Sequence, residues 1–276
     1  MGSMSKSLTV EFLGTRGAFP LNLPETQRLG TETSSVVVHA TENDRLILDA
    51  GTGLNRLAPS TGDDTIVLSH FHYDHVLGLP YFLMRKHTGR VILVTACASS
   101  LEDFQNKLAT VFGGIGFPVE LTEIFPTIEL RVFAPEELLA LGDWRIDTCE
   151  LNHPGQAFGY RVGHTELAGR LCYLMDHEHG SVRDPNLIAF AARADLIIYD
   201  AAYADANYDM WWGYNAEYFD LYQDGVHLCA KDKINCDHTG SVAGYEKGRQ
   251  EAQHVKFDFG PTTVTKHKYR LVLTNE

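Results

Sequence analysis

The chain lacks any long hydrophobic run and any excess of positive charge, and these absences exclude several classes of protein. No apolar stretch approaches the roughly 20 residues that span a bilayer, so the sequence predicts no membrane partner. The formal net charge of −13, from 36 acidic and 23 basic residues, would repel duplex DNA and long RNA. A small phosphoester stays compatible with this charge, because bound divalent cations supply positive charge locally.

Cysteine is also scarce and forms no framework. The sequence contains five cysteines and no CxxC pair. An odd number of cysteines without a secretory signal favours a reducing compartment, so we predict a cytoplasmic protein. The opening Met-Gly-Ser-Met is typical of an expression tag, and we assign residues 1–7 to a tag scar and leader.

The composition of the rest of the chain gives no sign of a domain boundary. No linker rich in proline, glycine or serine and no internal repeat interrupts residues 8–276, which predicts a single domain. Within this domain, residues 240–276 give the weakest indication of secondary structure and function. The hydrophobic fraction of 44% is enough for a large core. The sequence leaves the oligomeric state open, a homodimer included.

Short runs rich in β-branched residues alternate with a few helical segments. Such runs, bounded by Gly, Asn, Asp and Pro, are typical of strands. About ten strands with few helices predict two packed sheets covered by helices. The predicted strands are Leu8–Leu13, Ser35–His39, Leu46–Leu48, Thr65–Leu68, Val91–Thr95, Ile128–Phe133, Trp144–Glu150, Gly159–Val162, Arg170–Met175 and Leu196–Tyr199. The predicted helices are Val76–Lys86, Ser100–Val111 and Asn186–Ala194.

The segment Ser69–His75 concentrates candidate metal ligands directly after a predicted strand, where catalytic loops commonly begin. In an extended chain residues two apart point the same way, so His70 and His72 can present their imidazoles to one metal. As the chain turns into the following helix, Asp74 and His75 can face a second metal. A histidine-rich surface loop would explain a lone His-x-His, but it does not explain the added Asp-His pair. We interpret the segment as half of a binuclear metal site.

The run from His70 to His75 resembles the His-x-His-x-Asp-His signature of the metallo-β-lactamase superfamily. Further segments resemble its phosphodiesterase-like branch, in order and at the expected spacing over residues 8–203. They are Phe12–Gly17, Leu46–Gly53, Asn152–Gly155, Phe158–Arg161 and Leu174–Asp176, with Glu178 and His179. The resemblance implies an α/β fold of the αββα sandwich type, in which helices flank two packed mixed β-sheets.

The resemblance also implies a role for each candidate ligand. The first metal would be bound by His70, His72 and His153, and the second by Asp74 and His75. Asp176 would bridge the two cations, because the two oxygens of one carboxylate can hold a metal pair about 3.5–4 Å apart. The predicted cofactors are two divalent metal ions, with zinc as the first choice and manganese or iron as alternatives. Asp74 and Asp176 are also the predicted catalytic residues.

Asp49 and Asp200 each follow a predicted strand. Both suit carboxylates that orient a ligating imidazole, and both suit turn-forming residues equally well. Without the resemblance, His153 would be interpreted as a surface histidine and Asp176 as a turn residue.

The superfamily resemblance implies one more histidine near the C-terminus, after a helix and a strand. The segment Tyr222–Cys229 resembles that helix, which predicts His238 as the last metal ligand, with His267, His227 or no residue as the alternatives. A competing register takes Arg270–Thr274 as the final strand and puts Asn275 at the ligand position. In that register His238 is a candidate general acid.

Together these residues predict a metal-dependent hydrolase in which a bridging hydroxide attacks an electrophilic phosphorus or carbonyl carbon. The phosphodiesterase-like resemblance and the negative charge favour a small phosphodiester, such as a cyclic nucleotide, over transfer RNA. Two alternatives stay open. The same ligands can hold iron in a redox or oxygen-binding protein, and the irregular C-terminal third is compatible with a metal-binding module of weakened catalysis.

Overall fold

The computed structural model describes residues 7–22, 30–113, 117, 128–135, 137–178 and 184–200, and the backbone of strands within residues 221–272. The strands are β1 (Thr9–Gly14), β2 (Ser35–His39), β3 (Arg45–Leu48), β4 (Asp64–Leu68), β5 (Val91–Thr95), β6 (Ile128–Val132), β7 (Leu139–Leu141), β8 (Trp144–Leu151), β9 (Ala157–His164), β10 (Arg170–Leu174), β11 (Leu196–Tyr199), β12 (Leu221–Gln223), β13 (Val226–Cys229), β14 (Lys256–Asp258) and β15 (Tyr269–Val272). The helices are α1 (Tyr73–Val76), α2 (Leu79–Arg85), α3 (Leu101–Phe112) and α4 (Pro185–Ala191), with a 3-10 turn over Thr52–Arg56.

These strands form two mixed sheets. The first has seven strands in the order β14-β1-β2-β3-β4-β5-β6, and β3 to β6 run parallel within it. The second has eight strands in the order β13-β12-β15-β11-β10-β9-β8-β7. Its pairs are antiparallel except that β11 runs parallel to both β10 and β15.

The two sheets pack face to face, and helices cover their outer faces. In β2, Val36 and Val38 pack towards the second sheet, whereas Val37 packs towards α2 and α3. This alternation follows from the two-residue period of a strand, and apolar residues fill both faces because both are covered. On the second sheet, Cys172 and Leu174 pack against α4. The predicted αββα sandwich is therefore confirmed.

The helix predicted over Val76–Lys86 begins later in the structure, as α2, and Val76 is the last residue of the separate short helix α1. Pro80 lies in the first turn of α2, where its missing N–H needs no partner, whereas a continuous helix would need that N–H as a donor. Ser100 caps α3 by accepting a hydrogen bond from the backbone N–H of Asp103. No helix in the described ranges is both long and apolar enough to cross a membrane.

The helix predicted over Tyr222–Cys229 is wrong. Strands β12 and β13 pair antiparallel there, with Gln223 opposite Val226. The two residues between these partners are Asp-Gly, a favoured hairpin connection that outweighs the apparent helical pattern. Strand β15 pairs parallel with β11, with Leu271 opposite Ile198, which agrees with the competing register of the final strand.

Hydrogen bonds join the two sheets at the edge where the predicted ligands lie. The Tyr160 hydroxyl of β9 donates to the carbonyl of Leu68, the last residue of β4, at 2.6 Å. The Tyr173 hydroxyl of β10 donates to Asp49, the residue that follows β3, at 2.9 Å. The loops after β3, β4, β8 and β10 are thereby brought together from both sheets.

Candidate metal centre

Backbone strain is concentrated in the loops at this edge. Every non-glycine residue with a positive φ in the part of the chain that the structure describes lies there: Ala18 (55°), Asp49 (58°), Gln156 (71°) and Asp176 (60°). A left-handed conformation costs a non-glycine residue about 1–3 kcal/mol and persists only where the surroundings enforce it. The strain therefore marks a site whose geometry is held by its neighbours.

Three histidines from two distant loops converge on Asp176. The Nδ1 atom of His72 lies 3.0 Å from Nε2 of His70 and 3.0 Å from Nε2 of His153. Asp176 Oδ2 lies 3.2 Å from His70 Nε2 and 3.4 Å from His153 Nε2. The ligand atoms of these residues all lie within 4.8 Å of one another. Imidazole nitrogens with a carboxylate oxygen are a donor set that divalent zinc prefers.

Asp74 and His75 form a second group with the same Asp176. His75 Nε2 lies 3.4 Å from Asp74 Oδ2 and 3.4 Å from Asp176 Oδ1. Asp176 thus faces the first group through Oδ2 and the second through Oδ1. The backbone N–H of Ala18 donates to Asp74 Oδ2 at 2.8 Å, so the loop after β1 fixes the orientation of this carboxylate.

Asp49 sets the tautomers of two of the histidines. Its buried carboxylate accepts hydrogen bonds from His75 Nδ1 at 2.7 Å and from the Ser69 hydroxyl at 2.8 Å. Because Ser69 uses its only hydroxyl proton on Asp49, it must accept from His70 Nδ1, which lies 3.0 Å away. When neutral, His70 and His75 therefore both direct an unprotonated Nε2 towards the cluster.

The chemistry of the cluster fits a divalent cation in each group. The Nε2 atom of His75 is buried and has no hydrogen-bond partner among the described residues. A buried polar atom without a partner is unfavourable, and a cation held with Asp74 and Asp176 would satisfy it. The first group likewise offers three imidazoles and one carboxylate with ligand atoms within 4.8 Å of one another, a donor set that suits a divalent cation.

The pKa shifts in the cluster reflect the carboxylates that surround His75. Burial lowers the pKa of His75, but the carboxylates of Asp176 and Asp49 outweigh it and raise this pKa well above its ordinary value. Burial raises the pKa of Asp176, but His75 and His70 hold it well below its ordinary value. Burial lowers the pKa of His153 to about 4, so this imidazole is neutral near pH 7, as a metal ligand must be.

The structure brings together every predicted ligand except one. Those in the two groups are His70, His72, Asp74, His75, His153 and Asp176. His238 lies outside the described residues. Asp49 contacts His75 directly, which agrees with its interpretation as an orienting carboxylate, whereas Asp200 follows β11 and its N–H donates to the Leu174 carbonyl. The binding of metal by these residues stays a prediction.

Three partners of the cluster were not predicted from the sequence. They are Ser69, the backbone N–H of Ala18 and the Tyr173 hydroxyl. The position of Ser69, between the end of a strand and His70, was a signal that could have identified it. Tyr173 is far along the chain from Asp49, and no local pattern links the two.

Comparison with known proteins identifies the family. The family model described as the β-lactamase superfamily domain matches residues 44–231, more than half of the chain, so the chain belongs to this family. The metallo-β-lactamase fold protein YhfI from Bacillus subtilis is 18% identical with a TM-score of 0.53, covering 72% of this chain and 74% of that one. The short form of human tRNase Z is 21% identical with a TM-score of 0.51, covering 75% and 83%. At these identities the likeness concerns the fold.

Curated relatives include the ribonuclease Z of Natronomonas pharaonis, which is 29% identical over 174 residues. The match covers 59% of this chain and 50% of the relative, so the chain spans about half the length of the curated relatives it matches. The predicted superfamily is confirmed, and these names support the prediction of a metallo-hydrolase. The name ribonuclease Z disagrees in part with the expectation that nucleic acid is not a partner of this chain.

Proposed function

We propose that this chain is a metal-dependent hydrolase of phosphodiesters that works with two divalent cations. Zinc is the first choice for both cations. His70, His72 and His153 would hold one cation, and Asp74 and His75 the other, with Asp176 between them. The observation that carries the proposal is the pair of ligand groups that share Asp176, each with its ligand atoms within 4.8 Å of one another. Bound divalent cations would acidify a water molecule and polarise the phosphoryl group.

The surrounding residues have separate roles in this proposal. Asp49 and Ser69 hold His70 and His75 in the tautomers that leave Nε2 free for a cation. The Ala18 N–H fixes one oxygen of Asp74. Such partners orient ligating side chains and raise metal affinity without touching the metal.

The net charge of −13 supports a small phosphodiester, cyclic-nucleotide-like, as the substrate. A long polyanion would meet repulsion over most of the surface, whereas a single phosphate would meet mainly the local field of the cations. A second candidate substrate is RNA, because relatives of this chain are named ribonuclease Z. The two candidates differ in size and in total charge, so salt dependence as well as turnover separates them.

The test is metal content and turnover of the full chain. We expect close to two metal ions per chain and hydrolysis of bis(p-nitrophenyl) phosphate and of cyclic nucleotides that chelation abolishes. Asp74→Ala should lower metal content towards one per chain and remove most of the activity. His87→Ala changes an exposed histidine outside both ligand groups and serves as the matched control.

A substrate panel distinguishes the alternatives. Cleavage of a precursor transfer RNA in preference to all small diesters would favour the ribonuclease candidate. Iron as the dominant metal, with no hydrolysis of any phosphoester, would support a redox or oxygen-binding protein instead. Two bound zinc ions without hydrolysis would indicate a metal-binding module of weakened catalysis.

A further inference from the structure

The loop after β1 places an exposed aromatic ring beside the candidate metal centre. Phe19 is 74% exposed, the largest fraction among the exposed large hydrophobic side chains of the described ranges. Its neighbour Ala18 adopts a left-handed φ of 55° and donates its N–H to Asp74. The Leu21 N–H donates to the Thr31 carbonyl at 3.0 Å, so the loop is fixed on both sides of the ring.

A second exposed ring follows from the ligand motif itself. Tyr73 lies between His72 and Asp74 at the start of α1 and is 59% exposed. Phe19 and Tyr73 are each adjacent in the chain to one partner of the hydrogen bond between Ala18 and Asp74. The backbones of these two residues therefore lie beside the carboxylate that we assign to the second cation.

The setting of these rings favours a ligand that is aromatic and anionic. The anionic part of the ligand would lie at the cation that Asp74, His75 and Asp176 are proposed to hold. The strained backbone at Ala18 is unfavourable for folding alone, and such strain is common where a loop is held for function. An aromatic ring with a free face stacks on nucleobases without preference for their sequence.

We propose that Phe19 and Tyr73 form a stacking platform for an aromatic base attached to the phosphate, so that the substrate class is nucleoside phosphodiesters and not simple alkyl ones. This proposal rests on the proposed function for the position of the phosphate. It assigns both residues to binding and specificity, while the ligand groups carry the chemistry.

The experiment uses two esters with the same leaving group, thymidine 5′-(p-nitrophenyl phosphate) and methyl p-nitrophenyl phosphate, on the metal-loaded full chain. The wild type should prefer the thymidine ester. Phe19→Ala and Tyr73→Ala should each lower kcat/KM for the thymidine ester about 5- to 150-fold, the range that base stacking supports. The methyl ester should be hydrolysed almost unchanged.

Matched variants separate stacking from other effects. Phe19→Trp should retain the preference, whereas Phe19→Leu, which keeps an apolar side chain without a ring, should lose it. Tyr81→Ala removes a 53% exposed tyrosine on α2 and should change neither ester. Equal losses on both esters would show that Phe19 or Tyr73 supports Asp74 structurally, and the platform would be overturned.

Direct binding keeps the two proposals distinguishable. Thymidine monophosphate should bind the metal-loaded wild type more tightly than methyl phosphate in calorimetric titration, and Phe19→Ala should remove the difference. If the wild type hydrolyses neither ester, the proposed function fails. The difference in affinity between thymidine monophosphate and methyl phosphate still shows whether the stacking platform exists. Equal affinities for the two monophosphates would overturn the platform whether or not the chain is an enzyme.

Discussion

The imidazole of His75 donates a 2.7 Å hydrogen bond through Nδ1 to Oδ2 of Asp49, and neither residue is exposed to solvent. The same oxygen accepts from the hydroxyls of Ser69 and Tyr173, while Oδ1 accepts from the Ser69 backbone N–H at 2.7 Å. Asp49 therefore connects both sheets with both ligand groups. A buried carboxylate that accepts several donors in this way is strongly specified, because each donor would be left without a partner if the carboxylate were lost.

Asp49→Asn should weaken metal binding and stability together. The amide group would face donors with an N–H of its own, so at least one hydrogen bond must be lost. We expect the affinity for the second metal to fall about 10–100-fold. The free energy of unfolding of the metal-free protein should fall by about 3–5 kcal/mol, as when one partner of a buried pair is removed. Competitive metal titration and urea unfolding in EDTA measure the two effects.

Tyr173→Phe is the control for this prediction. It removes one donor to Asp49 and leaves the hydrogen bond to His75 in place. The stability loss should be about 1.5–3 kcal/mol, the value of one hydrogen bond to a charged group, with little change in metal affinity. A larger loss of metal affinity in Tyr173→Phe than in Asp49→Asn would contradict the role given to Asp49.

The residue pattern alone predicted the local part of this site, the family resemblance added His153 and Asp176, and the supporting contacts made by packing were missed. His70, His72, Asp74 and His75 are close in the chain, so their spacing alone indicated a site. The contact between Asp49 and Tyr173 joins residues on different sheets, and no periodicity reports how two sheets face each other. Strand β7 was missed because three residues are too few to show a period of two.

Metal should stabilise the folded chain, and His153 should be required for the full effect. His153 reaches the cluster from a loop far from His70 and His72 in sequence, so the unfolded chain cannot present all three together. Free zinc at about 100 times its Kd should add about 2.7 kcal/mol to the free energy of unfolding. His153→Ala should reduce this gain, measured as melting temperature with zinc and with EDTA, and His87→Ala should not. Equal gains in both variants would remove His153 from the first group.

Acid should destabilise the protein through Asp64, at the opposite end of β4 from the metal centre. Burial raises the pKa of Asp64, but hydrogen bonds from Lys86 and Arg45 outweigh it and lower this pKa below its ordinary value. A lowered folded-state pKa gives stability that is present above the unfolded pKa of about 4 and is lost as pH falls through the folded value. Urea unfolding of the wild type should therefore show stability falling below about pH 4.

Asp64→Asn tests this assignment, with its neighbour as control. Lys86 and Asp64 form an ion pair of 2.8 Å with both side chains fully buried, so the variant should lose about 3–5 kcal/mol at neutral pH. On further acidification, the free energy of unfolding of this variant should fall less than that of the wild type. Asp63→Asn breaks only an exposed pair with Arg90 and should change stability little. An Asp64→Asn variant as stable as the wild type at pH 7 would contradict the prediction.

His238 should act as a general acid and not as a metal ligand. The helix that supported it as a ligand is replaced by β12 and β13, and β15 occupies the final-strand position of the competing register. His238→Ala should therefore retain both metals with unchanged affinity, as should His267→Ala. Turnover of a diester with a poor alkoxide leaving group should fall about 10²–10⁴-fold, the usual value of general acid catalysis. Esters of p-nitrophenol should be affected much less, because this leaving group departs without a proton. A loss of one metal ion in His238→Ala would instead identify His238 as the ligand that completes the second site.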